Sequence, residues 1–225
     1  MNISRFFLLL TMVTISVTLS GQNEQEPDTL IKEPAVKPFI RLGFDVSAVA
    51  RAFAEPEVRQ FEISADSELL RNWFFNLEGG ILRVNSEQER FTYSASGFFL
   101  RTGVDFNLLG RPHAEQNDLV LIGIRYAYSS LWHEAPFYLL DNPYWGSHTG
   151  SIDRSSYYAH WMEFAGGVRT EVFKNFFLGW TLRTRIPLVK TRDPEIQPYY
   201  IGGFGQGKRR APVMIHFSAF YKLGL

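Results

Sequence analysis

Residues 97–107 read GFFLRTGVDFN and carry the clearest structural pattern in the chain. Apolar side chains such as Phe98, Leu100 and Val104 alternate there with small or charged ones such as Arg101 and Asp105. Because successive side chains of a strand point to opposite faces, this period of two indicates a β-strand with one apolar and one polar face. The same period recurs at residues 40–47, 60–65, 72–78, 120–129, 161–171, 176–186 and 213–223, and no comparable stretch shows helical spacing.

The chemistry of the two faces predicts which one lies inside a closed sheet. A soluble ligand-binding barrel has its apolar face inside, whereas a transmembrane barrel has it outside. The polar face carries arginine rather than lysine, and buried bidentate ion pairs favour arginine. We therefore predict an all-β, eight-stranded antiparallel transmembrane β-barrel, an up-and-down meander closed around a polar lumen. A structural ladder of side chains fills that lumen and leaves no open pore: Arg41, Asp45, Glu62, Glu78, Arg101, Asp105, Arg125, Glu163, Arg169, Glu171, Arg183 and Arg185.

The connections between these segments alternate in length. Short turns on one side of the membrane and long loops on the other are typical of transmembrane barrels. The predicted periplasmic turns are residues 66–71, 109–117 and 173–175; the predicted outer loops are residues 84–89, 133–155 and 191–211, together with an unexpectedly short one at 54–57.

The N-terminal residues predict export from the cytoplasm. Residues 1–21 combine a single charge, Arg5, with an apolar run and then small residues, which is typical of a secretory signal peptide. An uncleaved anchoring helix is the alternative. Residues 22–38 are polar and contain proline, so we expect a flexible periplasmic lead-in before a barrel domain over residues 39–225.

The composition excludes several classes of function. The chain has 23 basic and 23 acidic residues, so it lacks the excess positive charge of a nucleic-acid-binding protein. It contains no cysteine, which excludes disulfides, thiolate metal sites and a cysteine nucleophile.

Four stretches of the chain carry distinctive motifs: residues 97–109 (GFFLRTGVDFNLL), 118–126 (DLVLIGIRY), 164–180 (FAGGVRTEVFKNFFLGW) and 200–208 (YIGGFGQGK). They resemble an uncharacterised family of Bacteroidetes-type outer-membrane β-barrel proteins. The resemblance implies the barrel fold and a location in the bacterial outer membrane, and it implies no activity. The terminal Leu225 departs from the terminal aromatic residue that the barrel assembly machinery generally prefers.

A glycine-rich segment near the C-terminus has the spacing of a phosphate-binding loop. Residues 202–208 (GGFGQGK) lack the Ser or Thr and the helix that must follow in such a loop, so we interpret them as part of an outer loop. The cations at its end, Lys208, Arg209 and Arg210, are typical of a solvated charged rim. The alternative hypothesis is that they contact the phosphates of lipopolysaccharide.

The histidines predict neither a metal site nor a cofactor. No two of them have the spacing of a metal-binding pair on a strand or a helix. The histidines are His113, His133, His148, His160 and His216.

We expect a non-enzymatic structural or surface-interaction role through the outer loops at 133–155 and 191–211. The expected partners are outer-membrane lipid, lipopolysaccharide and the barrel assembly machinery. One alternative is a lipid-modifying enzyme that uses His160 with Ser155 or Ser156; the others are a narrow channel and a soluble periplasmic ligand-binding barrel. The loop aromatics, which are typical of binding surfaces, are Tyr138, Tyr144, Trp145, Tyr199, Tyr200 and Phe204.

Overall fold

The fold is all-β with one short helix, in a computed structural model that describes residues 38–109, 117–144, 146–191, 196–207 and 213–224. The signal peptide and most of the lead-in, predicted at residues 1–38, lie outside these ranges. The long strands are β1 (Phe39–Asp45), β2 (Val58–Leu70), β3 (Trp73–Gln88), β4 (Phe91–Asn107), β5 (Leu119–Asn142), β6 (Gly146–Phe173), β7 (Phe176–Lys190) and β10 (Val213–Gly224); β8 (Tyr200–Ile201), β9 (Gly205–Gln206) and the helix α1 (Ser47–Ala54) are short.

The eight long strands pair antiparallel in a closed ring, which confirms the predicted all-β fold and its eight antiparallel strands. The order around the ring is β1-β10-β7-β6-β5-β4-β3-β2, so chain neighbours are also ring neighbours except where β8 and β9 intervene. The ring closes between β1 and β10, from Phe39 opposite Gly224 to Asp45 opposite Ser218. The short strands β8 and β9 form a separate two-stranded hairpin.

The outer face of the ring is apolar and its inner face is largely charged in the middle of the strands. In β1, the side chains of Ile40 and Leu42 are exposed, whereas those of Arg41 and Asp45 are buried. In β4, Leu100 is 50% exposed and the next residue, Arg101, is 1% exposed. This arrangement is the reverse of a water-soluble β-protein, which buries its apolar face.

The strands on one side of the ring are much longer than expected. The predicted loops at 84–89 and 133–155 are mostly strand, since β3 continues to Gln88 and the β5–β6 hairpin pairs as far as Asn142 and Gly146. Register shifts between His133 and Tyr138 interrupt the period of two. A bulge places an extra residue in one strand, which is why the alternation that predicts strands fails there.

The connection after β1 contains a helix, so the prediction that helical spacing is absent was wrong. The helix α1 spans Ser47–Ala54, and the predicted loop at 54–57 is only its exit. Alanine has the highest helix propensity, and Val46, Val49, Ala50 and Phe53 have the spacing of one helical face. In the described residues, no helix has the length and apolar character needed to cross a membrane.

Two turns at the opposite end of the ring are tight, and most of the turn predicted at 109–117 lies outside the described residues. The turn predicted at 66–71 is confined to residues 71–72, and a similar one occupies residues 174–175. Asn72 and Asn175 adopt positive φ values of 66° and 65°, a conformation that asparagine tolerates better than most residues. Each turn is held by a glutamate four residues earlier, because Glu68 accepts a hydrogen bond from Asn72 N and Glu171 accepts one from Asn175 N.

Candidate functional site

The interior of the ring contains a network of eight ion-paired side chains, which we call the charge network: Glu62, Glu78, Asp105, Glu163, Arg101, Arg125, Arg183 and Arg185. All eight are at most 5% exposed. The four carboxylates balance the four guanidinium groups, and each cation is paired with at least one anion. Because an uncompensated charge in such an interior is very costly, this balance is what allows the charges to be buried.

Contacts across the ring connect strands that are not neighbours. Glu78 on β3 lies 2.7 Å from Arg183 on β7, directly opposite in the ring, and 3.0 Å from Arg101. Arg101 also pairs with Glu62 and lies 3.5 Å from Glu163 on β6. These side chains therefore fill the middle of the ring rather than lining an open passage.

A second interior cluster lies nearer the end that carries the tight turns. Asp66 pairs with Arg41 and with Arg169, each at 2.6 Å. The guanidinium of Arg41 also lies 5.4 Å from the ring centre of Phe74 and 5.2 Å from that of Phe177. Cation–π contacts of this kind let arginine share an interior with aromatic rings.

Two predictions about the ladder require correction. Asp66 was predicted to lie in a turn, but it lies in β2 and is 4% exposed. Glu171, predicted to belong to the ladder, is half-buried at the end of β6, where it bonds to Asn117 and Asn175. The other eleven predicted ladder residues are buried in the interior. Of these, Asp45 pairs with Arg51 of α1 and also lies 3.5 Å from His216 Nδ1 on β10.

Glycines on the inner face make room for the arginines. A Cβ atom at Gly123 would lie 1.9 Å from the Asp105 carboxylate, and one at Gly103 would lie 2.7 Å from Arg125 Cγ. Both distances are shorter than van der Waals contact, so the Asp105–Arg125 pair requires the absence of side chains there.

The other half of the interior, nearer the long hairpins, is apolar. Leu82, Phe99 and Trp161 are each at most 1% exposed and pack with Tyr200, Ile201 and Phe204 from the β8–β9 segment. The ring of Phe204 packs edge-on against that of Trp161, with 5.4 Å between the ring centres. The backbone carbonyl of Phe204 accepts a hydrogen bond from Arg185 Nη1. The prediction of a polar lumen is therefore correct for the middle of the ring and for the Asp66 cluster, and wrong for the half nearer the long hairpins.

The segment at residues 196–207, which we call the plug, closes this end of the ring. Gly203 adopts a φ of +73° and its N–H donates to Gln60 Oε1 on β2. Lys190 Nζ donates to the carbonyl of Gly207. Tyr200 and Phe204, predicted to lie on an adhesive outer surface, are buried instead. Burial also raises the pKa of the Tyr200 hydroxyl, because the phenolate would lose its hydration.

Three buried side chains at the junction of β1, β2 and β10 bring potential metal ligands within 4.8 Å of one another: Asp45, Glu62 and His216. Each is already paired with an arginine, from Arg51, Arg101 and Arg185 respectively. His216 Nε2 accepts a hydrogen bond from Arg185, so the proton of the neutral ring resides on Nδ1, facing Asp45. Neither ring nitrogen then offers a free lone pair, and the surrounding guanidinium groups repel a cation. The cluster does not fit a metal ion.

The side chains required for the lipid-modifying alternative are not brought together. Ser155 forms a 3.1 Å hydrogen bond with His133, on the inner face of the β5–β6 hairpin. His160 interacts with Tyr126 on the outer face instead. Ser156 shares that outer face but lies four residues from His160, or about 13 Å along a strand. A serine and a histidine that far apart cannot exchange a proton directly.

A family model described as a domain of unknown function, DUF6048, matches residues 2–225. The chain belongs to the DUF6048 family. No curated protein matches it.

Some predicted contact residues of the DUF6048 chain lie outside the described ranges. These are the three cations Lys208, Arg209 and Arg210, and also Trp145. Among the predicted loop aromatics that are described, Tyr144 is 91% exposed at the tip of the β5–β6 hairpin, Tyr199 is 47% exposed, and Tyr138 is partly buried.

The interior of the DUF6048 chain contains functional groups that the period of two did not reveal. The plug has no alternating pattern, and its aromatics are separated by glycines, so their burial has no local signal. Asn76, whose Oδ1 accepts from Arg125 Nε, is on the polar face of β3 but was left out of the predicted ladder because it is uncharged. Its place on that face, two residues before Glu78, was the available signal.

Proposed function

We propose that the chain is an outer-membrane β-barrel whose apolar outer face contacts lipid and whose filled interior conducts no solute. The observation that carries this proposal is the inversion of the ring, with apolar side chains outside and a balanced charge network inside. In water, an outer face with Phe61, Ile81 and Phe98 exposed would be a continuous aggregation surface. In a bilayer the same face is stabilised, and closing the ring leaves no unpaired strand edge in the hydrocarbon.

The interior supports a structural rather than a transport role. Ion pairs from β3 to β7 cross the ring, and the plug covers the apolar half. We expect purified protein in a planar bilayer to give no channel conductance. Replacing residues 199–206 with a Gly–Ser linker of equal length is expected to give none either, because the charge network still fills the middle. A steady conductance from the unmodified protein would contradict the proposal that the interior is closed.

The β5–β6 hairpin supports a role in surface interaction. The last pair between β6 and β7 joins Ala159 and Lys190, whereas β6 begins at Gly146, so about 40 Å of this strand extends beyond its β7 neighbour. Among the described residues no strand pairs with that free edge. An exposed strand edge offers backbone donors and acceptors to a partner strand. This part of β6 also has exposed polar side chains, such as those of His148 and Arg154.

The location and orientation can be tested together because the chain contains no cysteine. We expect the protein to fractionate with the outer membrane and to migrate differently on a gel before and after boiling. A Tyr144→Cys variant is expected to react with a membrane-impermeant maleimide on intact cells. The matched Lys174→Cys variant, in the turn at the opposite end, is expected to react only after the outer membrane is broken. Recovery in the soluble periplasmic fraction, with unchanged migration, would refute membrane insertion.

The interaction role has a separate test. A variant in which a two-residue turn replaces residues 137–150 is expected to keep its heat-modifiable migration, since the ring is intact. We expect the full chain to confer auto-aggregation and surface adhesion on cells that display it, and we expect cells displaying the variant to lack both. If the variant is displayed normally and adhesion is unchanged, the proposal of a barrel stands, but the hairpin has no part in adhesion.

A further inference from the structure

A groove of about 1010 Å³ opens on the outer face of the ring beside α1. One wall is the helix, through Val49 and Phe53, which are 50% and 85% exposed. The floor is the outer face of β2, β3 and β4, through Phe61, Ile81 and Phe98. This volume is at the upper end of the range for small-molecule sites, and the floor is as apolar as the rest of the outer face.

A polar row crosses the outer face directly above that apolar floor. The strand registers place Arg59 opposite Arg83, Arg83 opposite Ser96, Ser96 opposite Trp132, and Trp132 opposite Ser156. All five residues line the groove. The next row on the outer face, two residues away on each strand toward the tight turns, begins with Phe61, Ile81 and Phe98. The outer face therefore changes from apolar to cationic and hydroxylated within a single step of the pleat.

The arginine pair in this row is unusual. Arg59 and Arg83 are exposed on adjacent strands, directly opposite each other, and Cβ atoms in such a pair are about 5 Å apart. Like charges in this position are destabilising. In the described part of the chain, neither arginine forms an ion pair with a carboxylate. An anion bound between the two guanidinium groups would remove the repulsion, and phosphate matches their planar fork of donors.

Trp132 marks the height of the row relative to a bilayer. Its ring stacks under the guanidinium of Arg154, whose carbon lies 3.9 Å from the ring centre. Tryptophan and arginine both favour the membrane–water interface, where the apolar part of the side chain meets hydrocarbon and the polar tip meets headgroups. If the outer face contacts lipid, the row lies at the level of lipid phosphates and the groove extends from it toward the hydrocarbon.

We infer that this groove binds a phosphate-bearing membrane lipid, whose phosphate lies between Arg59 and Arg83 and whose acyl chain packs along α1, Phe61 and Phe98. The inference rests on the proposed membrane location. Charge complementarity and the continuity of the floor with the lipid-facing surface both favour a lipid over a soluble ligand. The site is distinct from the cations predicted at residues 208–210.

The test is a titration of the delipidated full chain, in detergent micelles, with dioleoyl phosphatidic acid and with dioleoyl phosphatidylcholine, followed by tryptophan fluorescence. We expect the phosphatidic acid to bind about tenfold more tightly, because it offers a compact, doubly charged phosphate to both arginines. The Arg59→Gln/Arg83→Gln variant is expected to bind both lipids equally. The control, Arg71→Gln/Arg90→Gln, removes the same charge elsewhere and is expected to keep the preference.

Two further arms separate the alternatives. Inorganic phosphate, added at the same concentration as the lipid, is expected not to displace it; full displacement would identify an anion site rather than a lipid site and overturn the inference. A Phe53→Ser variant is expected to weaken phosphatidic acid binding several-fold while keeping the preference, because it removes part of the apolar wall.

Heat-modifiable migration of the same samples distinguishes failure of this inference from failure of the proposed function. A heat-modifiable protein with no preference between the two lipids, or a double variant that keeps the preference, would overturn the lipid site alone. A protein that stays soluble without detergent and migrates identically before and after boiling would overturn both.

Discussion

The two halves of the interior are filled in different ways. In the middle of the ring, the strands carry long charged side chains that meet across it, such as Glu78 and Arg183. Nearer the long hairpins, several inward positions are alanine, including Ala95, Ala127 and Ala159, and the vacant space is occupied by the plug. A ring of fixed width can thus be packed by its own arginines or by a separate segment, and the size of the inward side chains determines which.

The largest effect is expected in the charge network. A Glu78→Gln variant keeps the shape of the side chain but removes the carboxylate shared by Arg101, Arg125 and Arg183. Breaking a buried pair leaves an uncompensated charge, so we expect the free energy of unfolding to fall by about 4 kcal/mol. Urea-induced unfolding in micelles, followed by tryptophan fluorescence, measures this.

The control for that variant is Glu87→Gln, which makes the same change at an exposed position of the same strand. We expect a loss of less than about 0.5 kcal/mol there, in the range of ordinary surface substitutions. Equal losses at the two positions would mean that the network contributes nothing specific to stability.

A smaller effect is expected in the apolar half. Phe204→Ala removes the ring that packs against Trp161 and leaves a cavity beneath the plug. We expect a loss of about 3 kcal/mol by the same measurement, typical of a buried phenylalanine. Tyr144→Ala, at the exposed tip of the β5–β6 hairpin, is the comparison and is expected to change stability little. A negligible loss for Phe204→Ala would show that the plug is not packed as described.

The backbone of the plug gives the next effect. Gly203→Ala has two costs: an alanine must adopt a positive φ, and its Cβ atom would lie 2.6 Å from the ring of Phe99. In Gly146→Ala the only cost is the positive φ, since apart from its chain neighbours no described residue has an atom within 4 Å of the added Cβ. We expect losses of about 2 and about 1 kcal/mol respectively, so the difference isolates the contact with Phe99. Equal losses would place Phe99 away from the plug.

The smallest effect is expected outside the ring. Arg90 and Asp141 lie 3.9 Å apart and are both well exposed, so water and salt screen their attraction. We expect Arg90→Gln to cost less than about 0.5 kcal/mol and the cost to vanish in high salt. If Arg90→Gln lowered the free energy of unfolding as much as Glu78→Gln, exposed and buried ion pairs would contribute equally to stability, contrary to this prediction.

The sequence predicted the ring better than it predicted the contents of the ring. The period of two identifies a strand locally, and arginine on one face of several strands indicates buried pairs, so residues such as Arg101 could be placed from their own neighbours. The partner of each charge depends on the registers of strands far apart in the chain. Asp66 was assigned to a turn because a polar run, residues 66–68, interrupts the alternation there. The plug is buried because alanines in other strands leave space for it, so its burial could not be predicted from its own residues.

Contact between the apolar face and lipid can be measured through the quenching of tryptophan fluorescence by brominated acyl chains. Two single-tryptophan variants are compared after reconstitution, one retaining Trp180, which is 45% exposed on the outer face, and one retaining Trp161, which is fully buried in the interior. Vesicles of the same lipid without bromine provide the reference. We predict strong quenching of Trp180 and little quenching of Trp161. Quenching of Trp161 with Trp180 unaffected would show that the faces are reversed and that the apolar face does not contact lipid.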